Sequence, residues 1–508
     1  LRAAGQTSQS PSAIFGRGLR SYPALSILAV IMRTMLAFSL CLLLAACGRG
    51  PADVNSAAGG GANRIQPWPE NPKYWQLDGQ PVLLLGGTKD DSLFQIPDLE
   101  EHLDLLASLG GNYVRNTMSD RADHGYEVRA FLRRDDGRYD LDQWNDEYWR
   151  RFENLIRLTG ERGIVVQIEV WDRFDHATGH WETDPFRPSN NVNYTGEETG
   201  LAEEYSRHPS TDDQPFFHTI PGMARYEPRF DRIRHYQERF VEKILAYTLD
   251  QKHVLYCMNN ETSTPPAWGH YWMEFIRGKA AEAGVTVYAT DMFDDGWKPE
   301  QSEKMQQAIA DPAMYPFLEI SQVNSRNFGE DHWNRLLWLH QQVAARTRPL
   351  NNVKIYGDGN TSWGSGLPKD GVERFWRHLI AGSASARFHR DGAGTGLQPV
   401  SQAAIRSART VESVVKFWDI EPRMDLLGDR EENEAYLAAK PGEQYVLYFT
   451  DGGAVSLDLS AAPDGLSLRW VEVATGAWNG AAAAVAGGGK LTVTAPGAGG
   501  WVAVIARQ

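Results

Sequence analysis

At 508 residues and 42% hydrophobic composition, the chain can bury one large domain of roughly 250 to 350 residues and smaller ones beside it. A formal net charge of -14, from 65 Asp and Glu against 51 Lys and Arg, argues against nucleic acid or anionic lipid as the main partner, and it equally serves plain solubility. Of the three Cys, Cys41 and Cys47 lie in an N-terminal apolar stretch, which leaves Cys257 alone in the folded part and excludes a disulfide framework there.

Residues 1–31 show no sustained amphipathic pattern and read as an upstream extension rather than a domain. Residues 32–47 carry one basic residue, a short apolar core and then small residues before Cys47, the layout of a secretory signal. Leu44-Ala45-Ala46-Cys47 resembles the bacterial lipobox, which implies lipidation at Cys47, a membrane partner through that anchor, and location at the bacterial cell envelope. A transmembrane helix from Ala24 to Ala46, interrupted by Arg33, is the competing reading. Residues 48–66, with Gly59, Gly60 and Gly61 and few apolar side chains, read as a flexible tether.

From residue 67 to 428 the sequence repeats a strand–helix beat. Strands are predicted at 82–85, 112–116, 164–170, 254–258, 285–290, 317–320, 353–356 and 384–388. Helices fall between them: Pro97 and Asp98 open one with Leu99, Leu103, Leu106 and Leu109 on one face, and the last puts Ile405, Ala408, Val411, Val415 and Trp418 on a stripe. Eight strands alternating with eight helices give an α/β fold, a (β/α)8 TIM barrel. Two connections are long, 117–141 and 172–230, and both belong to the catalytic face of such a barrel. The second, with Trp181, His180, His208 and His218, suits either a substrate cleft or a solvated insertion with its own small core.

From 429 to 508 the pattern changes to short strands at 434–438, 444–449, 455–459, 468–473, 490–494 and 501–505, an all-β sandwich. Asp451-Gly452-Gly453 reads as a tight turn joining two of them. The run 441–449, with Trp470, Trp478 and the closing Gly500-Trp501, resembles the C-terminal module, named for collagen binding, that follows the barrel in apiosidase-like glycosidases.

Val254-Leu-Tyr-Cys-Met is apolar throughout, as a strand buried on both faces would be, and it ends in Asn259-Asn260-Glu261. This resembles the retaining glycoside hydrolases of clan A, whose fourth strand ends in Asn-Glu. The resemblance implies that Glu261 is the acid/base and that Asn260 touches the sugar 2-hydroxyl. Residues 111–115 resemble the clan's second strand, where the Arg, here Arg115, supports the nucleophilic carboxylate; a structural ion pair is the alternative. Residues 78–82 resemble the opening turn of such barrels.

The clan's nucleophile is a Glu at the end of strand seven, where this chain offers only Asp358, one methylene shorter, with Glu319 and Glu169 in reserve. A retaining pair would stand about 5 to 5.5 Å apart. Of the seventeen Trp, Trp171, Trp268 and Trp363 are candidates for stacking on sugar rings, and His389 for a substrate contact or a structural role. No zinc, nucleophile-elbow or phosphate-loop motif occurs, and no metal or cofactor is implied. The expected activity is a two-carboxylate glycosidase acting on a poly- or oligosaccharide; the rival is a non-catalytic carbohydrate-binding or adhesive lipoprotein.

Overall fold

The computed structural model describes residues 63–119, 121, 123–211, 213–359 and 364–507. The signal, Cys47 and the competing apolar helix lie outside the described residues, as does Trp363. No helix among the described residues is long and apolar enough to cross a membrane. Ile65, which composition assigns to the tether, is buried, and its N–H donates to Lys252 O at 2.8 Å. Gln66–Pro67 then pairs with Trp75–Leu77, which turns back into Gln80–Val82. The turn residues Asp78 and Gly79 both have positive φ, 53° and 73°, as a two-residue Asp-Gly hairpin requires.

The body contains eight parallel strands: β1 (Leu84–Gly87), β2 (Tyr113–Thr117), β3 (Val165–Asp172), β4 (Val254–Asn260), β5 (Ala289–Thr290), β6 (Leu318–Glu319), β7 (Leu350–Asn351) and β8 (Ser385–Phe388). Six form one sheet in the order β5-β4-β3-β2-β1-β8, and β6 pairs with β7. Leu84, Tyr113, Val165, Leu255, Phe317 and Ala384 meet in an inner cluster, while Leu85, Val114, Val166, Tyr256 and Leu318 pack outward against the helices. Burial on both faces is why these strands read as continuous apolar runs. The predicted strand 353–356 is corrected: the ladder lies at Leu350–Asn351, and beyond it only Ile355 bridges to Phe388.

The α-helices longer than one turn are α1 (Leu99–Ser108), α2 (Asp146–Glu161), α3 (Asp231–Thr248), α4 (Pro266–Glu282), α5 (Glu303–Ala310), α6 (Gly329–Val343), α7 (Pro368–Ala381) and α8 (Pro399–Glu412). Side-chain caps fix two of their starts: Asn145 accepts from Glu147 N, and Ser302 from Met305 N. Periodicity did not single out α7. Its buried set includes Arg374, Arg377 and His378, so burial on several sides leaves no apolar stripe to read. The long 172–230 connection has no separate core: Trp181, Phe186, Phe216 and Phe217 join the outer cluster of the body.

The C-terminal module holds β9 (Ala435–Lys440), β10 (Gln444–Phe449), β11 (Ala454–Asp458), β12 (Leu466–Glu472), β13 (Ala477–Val485), β14 (Lys490–Thr494) and β15 (Trp501–Arg507). One antiparallel sheet runs β9-β10-β15-β12-β13 and begins earlier than residue 429, since Glu421–Pro422 adds to its β9 edge; the other pairs Leu427–Gly428, β11 and β14. Residues 451–453 therefore cross between sheets instead of closing a hairpin. Alternation is strict along β10: Tyr445, Leu447 and Phe449 enter the core between the sheets, while Val446 and Tyr448 enter the outer cluster of the body. Tyr448 stacks on Trp376 of α7, ring centres 5.4 Å apart, and Arg377 donates to Asn433 at 2.9 Å.

Candidate active site

At the carboxyl ends of the parallel strands lies a cleft of about 650 Å³, walled by Asp91 after β1, Asn260 and Glu261 at the end of β4, Lys354 and Tyr356 after β7, and His389 and Arg390 after β8. Ligands collect at this end of parallel strands because the loops there converge while the strands fix their roots. A depression of about 800 Å³ beside Lys252 and His253, at the amino end of β4, contains none of these groups.

Asn259 and Asn260 anchor the end of β4 in different directions. Asn259 donates to Asp291 Oδ1 at 2.8 Å and accepts from Trp268 Nε1 at 3.0 Å, both inside the fold. Asn260 donates to Asp172 Oδ2 at 2.9 Å and accepts from Lys354 Nζ at the cleft. Glu261 then adopts φ 54°, a left-handed backbone costing a non-glycine residue on the order of 1–3 kcal/mol. That bend turns its side chain, 19% exposed, into the cleft.

Three donors converge on Glu261 Oε1: Lys354 Nζ at 2.6 Å, Gln322 Nε2 at 2.9 Å and Tyr356 OH at 3.2 Å. Among the described residues no bond is recorded to Oε2. Burial opposes charge on Glu261, yet the adjacent Lys354 ammonium, together with Arg173 and the Gln322 hydrogen bond, outweighs it and holds the carboxyl down at about 2. Lys354 is 1% exposed, a buried cation whose Nζ is satisfied by Asn260 and Glu261.

The cleft's other buried carboxylate is Asp91. Arg115 donates to Oδ1, Arg390 Nε donates to Oδ2 at 2.8 Å, and His389 Nδ1 stands 3.6 Å from Oδ1. Burial would raise its pKa, but the Arg115 guanidinium, with Arg390 and Lys354, holds it well below the usual carboxylate range. Burial in turn pushes His389 well below its ordinary value, so the ring is neutral at pH 7.

Several predicted residues sit elsewhere. Asp358 does not line the cleft; its Oδ1 accepts from Ser365 on the loop that leads to α7. Arg115 serves Asp91 and Glu169, not Asp358. Glu169 and Glu319 are buried within the body and away from the cleft; burial pushes Glu319 up to about 7. Trp171 and Trp268 are corrected from sugar platforms to core: they are 2% and 0% exposed, since positions flanking a strand end are covered by the long 172–230 connection and α4. Asn260, Glu261 and His389 are brought together as expected of one site.

Sequence reasoning passed over Asp91, Lys354, Tyr356, Gln322 and Trp297. For Lys354 a signal existed, a single cation in an apolar strand, which is stable there only beside a partner charge. Among the described residues no group of three or more His, Cys, Asp or Glu is arranged to hold a metal ion.

A family model described as "Domain of unknown function (DUF6298)" matches residues 134–291, which include β3, β4 and Glu261. No curated protein matches the sequence. Among solved structures, a glycoside hydrolase family 5 protein from Bacteroides vulgatus is 12% identical, the match covering 88% of this chain and 93% of that one with a TM-score of 0.56. Another, described as a glycoside hydrolase, is 10% identical over 88% of this chain and 97% of its own, with a TM-score of 0.58. The chain therefore shares the fold of glycoside hydrolases.

Proposed function

We propose that the chain is a glycosidase in which Glu261 is the acid/base and Asp91 the nucleophile. The observation that carries this reading is the presentation of Glu261: a strained strand end places it in the cleft wall, and its donors Lys354, Gln322 and Tyr356 all fall on Oε1. Asp91 takes the nucleophile's place because Arg115 supports it, the role the clan's second-strand Arg has toward its nucleophile. A nucleophile must be ionised, and the cations around Asp91 ensure that. Glu261 is ionised too while Lys354 stands beside it. Substrate contacts that draw the Lys354 ammonium away leave burial, the largest single influence on Glu261, opposed only by Arg173 and Gln322, and lift it toward a proton donor.

The remaining assignments are proposals of the same reading. The eight strands close into a (β/α)8 barrel; Ala384 N to Leu350 O and Ile355 N to Arg387 O support one seam, and Thr290 Oγ1 to Phe317 O the other. The two-sheet module is a β-sandwich similar to that of apiosidase-like glycosidases, and Cys47 carries a lipid that holds the enzyme at the cell envelope. Cys47→Ser is expected to leave the membrane fraction; unchanged fractionation refutes the anchor.

The test of the activity is a screen on plant and microbial glycans with wild type and Glu261→Gln. We expect hydrolysis by wild type and a loss of about 10²–10⁴-fold in the variant. Azide should rescue Glu261→Ala with retained anomeric configuration. Hydrolysis by Glu261→Gln at the wild-type rate would remove Glu261 from the mechanism, and binding of glycans without hydrolysis would favour the non-catalytic lipoprotein.

A further inference from the structure

The cleft reverses the charge balance of the chain. Its walls carry five Arg and Lys, namely Arg121, Arg173, Arg326, Lys354 and Arg390, against four carboxylates, whereas the whole chain has 51 against 65. Four of these cations are committed: Arg121 to Asp172 and Asp175, Arg173 to Asp294, Lys354 to Glu261 and Arg390 to Asp91. Arg326 is different. It is exposed, and among the described residues no carboxylate pairs with it.

Its position is nonetheless built. Arg326 has φ 62°, a backbone that costs a residue with a Cβ, and its N–H donates to Gly364 O at 3.0 Å. Gly364 leaves the room it needs, since a Cβ there would meet Arg326 Cγ at 2.5 Å. The guanidinium lies 5.2 Å from the Trp297 ring centre, and stacking of that kind holds an Arg fork in place without using its donors. Arg173, 3% exposed and also in the cleft wall, keeps its Nε without a partner.

We propose that the cleft takes an anionic saccharide, one bearing a uronic acid whose carboxylate is received by the Arg326 guanidinium. The inference rests on the glycosidase reading for the saccharide, while the charge recognition rests on Arg326 alone. A neutral sugar gives a strained, stacked and unpaired Arg nothing to neutralise. A carboxylate matches its planar fork with two parallel hydrogen bonds.

The test is calorimetric titration of the full-length protein with a galacturonate oligosaccharide, its carboxyl-reduced counterpart and a sulfated oligosaccharide of the same length. We expect the uronate to bind at least about tenfold tighter than the reduced form and to weaken as salt rises. Arg326→Ala should lose about that factor, and Arg326→Lys should recover only part because it keeps the charge and loses the fork. Gly364→Ala, which displaces Arg326 without removing it, should weaken the uronate likewise; thermal melting confirms that each variant is folded. Equal binding of the uronate and its reduced form overturns the inference, and tighter binding of the sulfated sugar overturns the uronate assignment. Hydrolysis of neutral glycans that depends on Glu261, without preference for uronates, would defeat this inference and leave the glycosidase reading intact. Binding of no saccharide of any class would defeat both.

Discussion

The body and the C-terminal module bury their side chains by different rules. Among the described residues from 429 onward, Thr450 is the one buried polar side chain, and both faces of β10 and β15 are filled by apolar and aromatic groups. The body buries Arg115, Glu169, Glu319 and Lys354 within or beside its parallel strands. Burying charge costs several kcal/mol per ion unless it is paired, so stability alone does not select such residues. The module is built to pack, and the strand ends of the body are built to hold charge where water is scarce.

The contrast is broken most forcefully at the strand ends. Asp91→Asn removes the ionised carboxylate that Arg115, His389 and Arg390 surround, and kcat on an activated aryl glycoside is expected to fall about 10³-fold or more. Asp358→Asn, bound to Ser365 and away from the cleft, should retain activity within a few fold. The reverse result would return the nucleophile to Asp358 and overturn the site drawn here.

In the module the expected injury is to stability. Tyr448→Ala empties the contact with Trp376 across which the module and the body meet, and a large aromatic truncation of this kind costs about 3–5 kcal/mol. Thermal unfolding should shift down by several degrees while kcat per folded molecule stays near wild type. A drop in kcat without a change in melting temperature would mean that the module takes part in the site.

Much of this is legible in the sequence alone. The apolar run of β4 and its ending in Asn259-Asn260-Glu261 identified the strand and the carboxylate, because two-sided burial and an abrupt polar terminus are both written in composition. The second carboxylate was not legible. Asp91 stands four residues past β1 in a polar stretch, and only the fold brings it against Arg115, Arg390 and His389. Trp171 and Trp268 misled for the opposite reason: a Trp near a strand end reads the same whether it faces the cleft or the helices behind it. Helix α7 lacked a pattern because the module covers the face that would otherwise be polar.

Lys354→Met sharpens the contrast further, since a methionine fills the volume and removes the charge. With the ammonium gone, Arg173 and Gln322 alone oppose burial, and Glu261 rises from about 2. A general acid governs the alkaline limb of the kcat/KM profile, where it loses its proton, and that limb should move to higher pH. An unmoved limb would show that Glu261 does not govern it.

The smallest effect is expected deep in the body, at Glu319. Burial pushes this carboxyl up to about 7, opposed by hydrogen bonds from Ser321 and Gln167. The folded chain therefore binds this proton more tightly than the unfolded chain does. Its contribution is fully present below the ordinary carboxylate value and is lost as pH rises through about 7. Between pH 5 and 8 wild type should lose stability on the order of 2–3 kcal/mol from this group. Glu319→Gln places an amide donor where Gln167 Nε2 already donates, so its stability at low pH falls as well, and the informative quantity is the slope rather than the melting temperature itself. Melting temperatures across that range should flatten in the variant. A slope equal to that of wild type would mean that the buried proton sits on another group, with Asp291, also pushed up to about 7 by burial, the next to be changed.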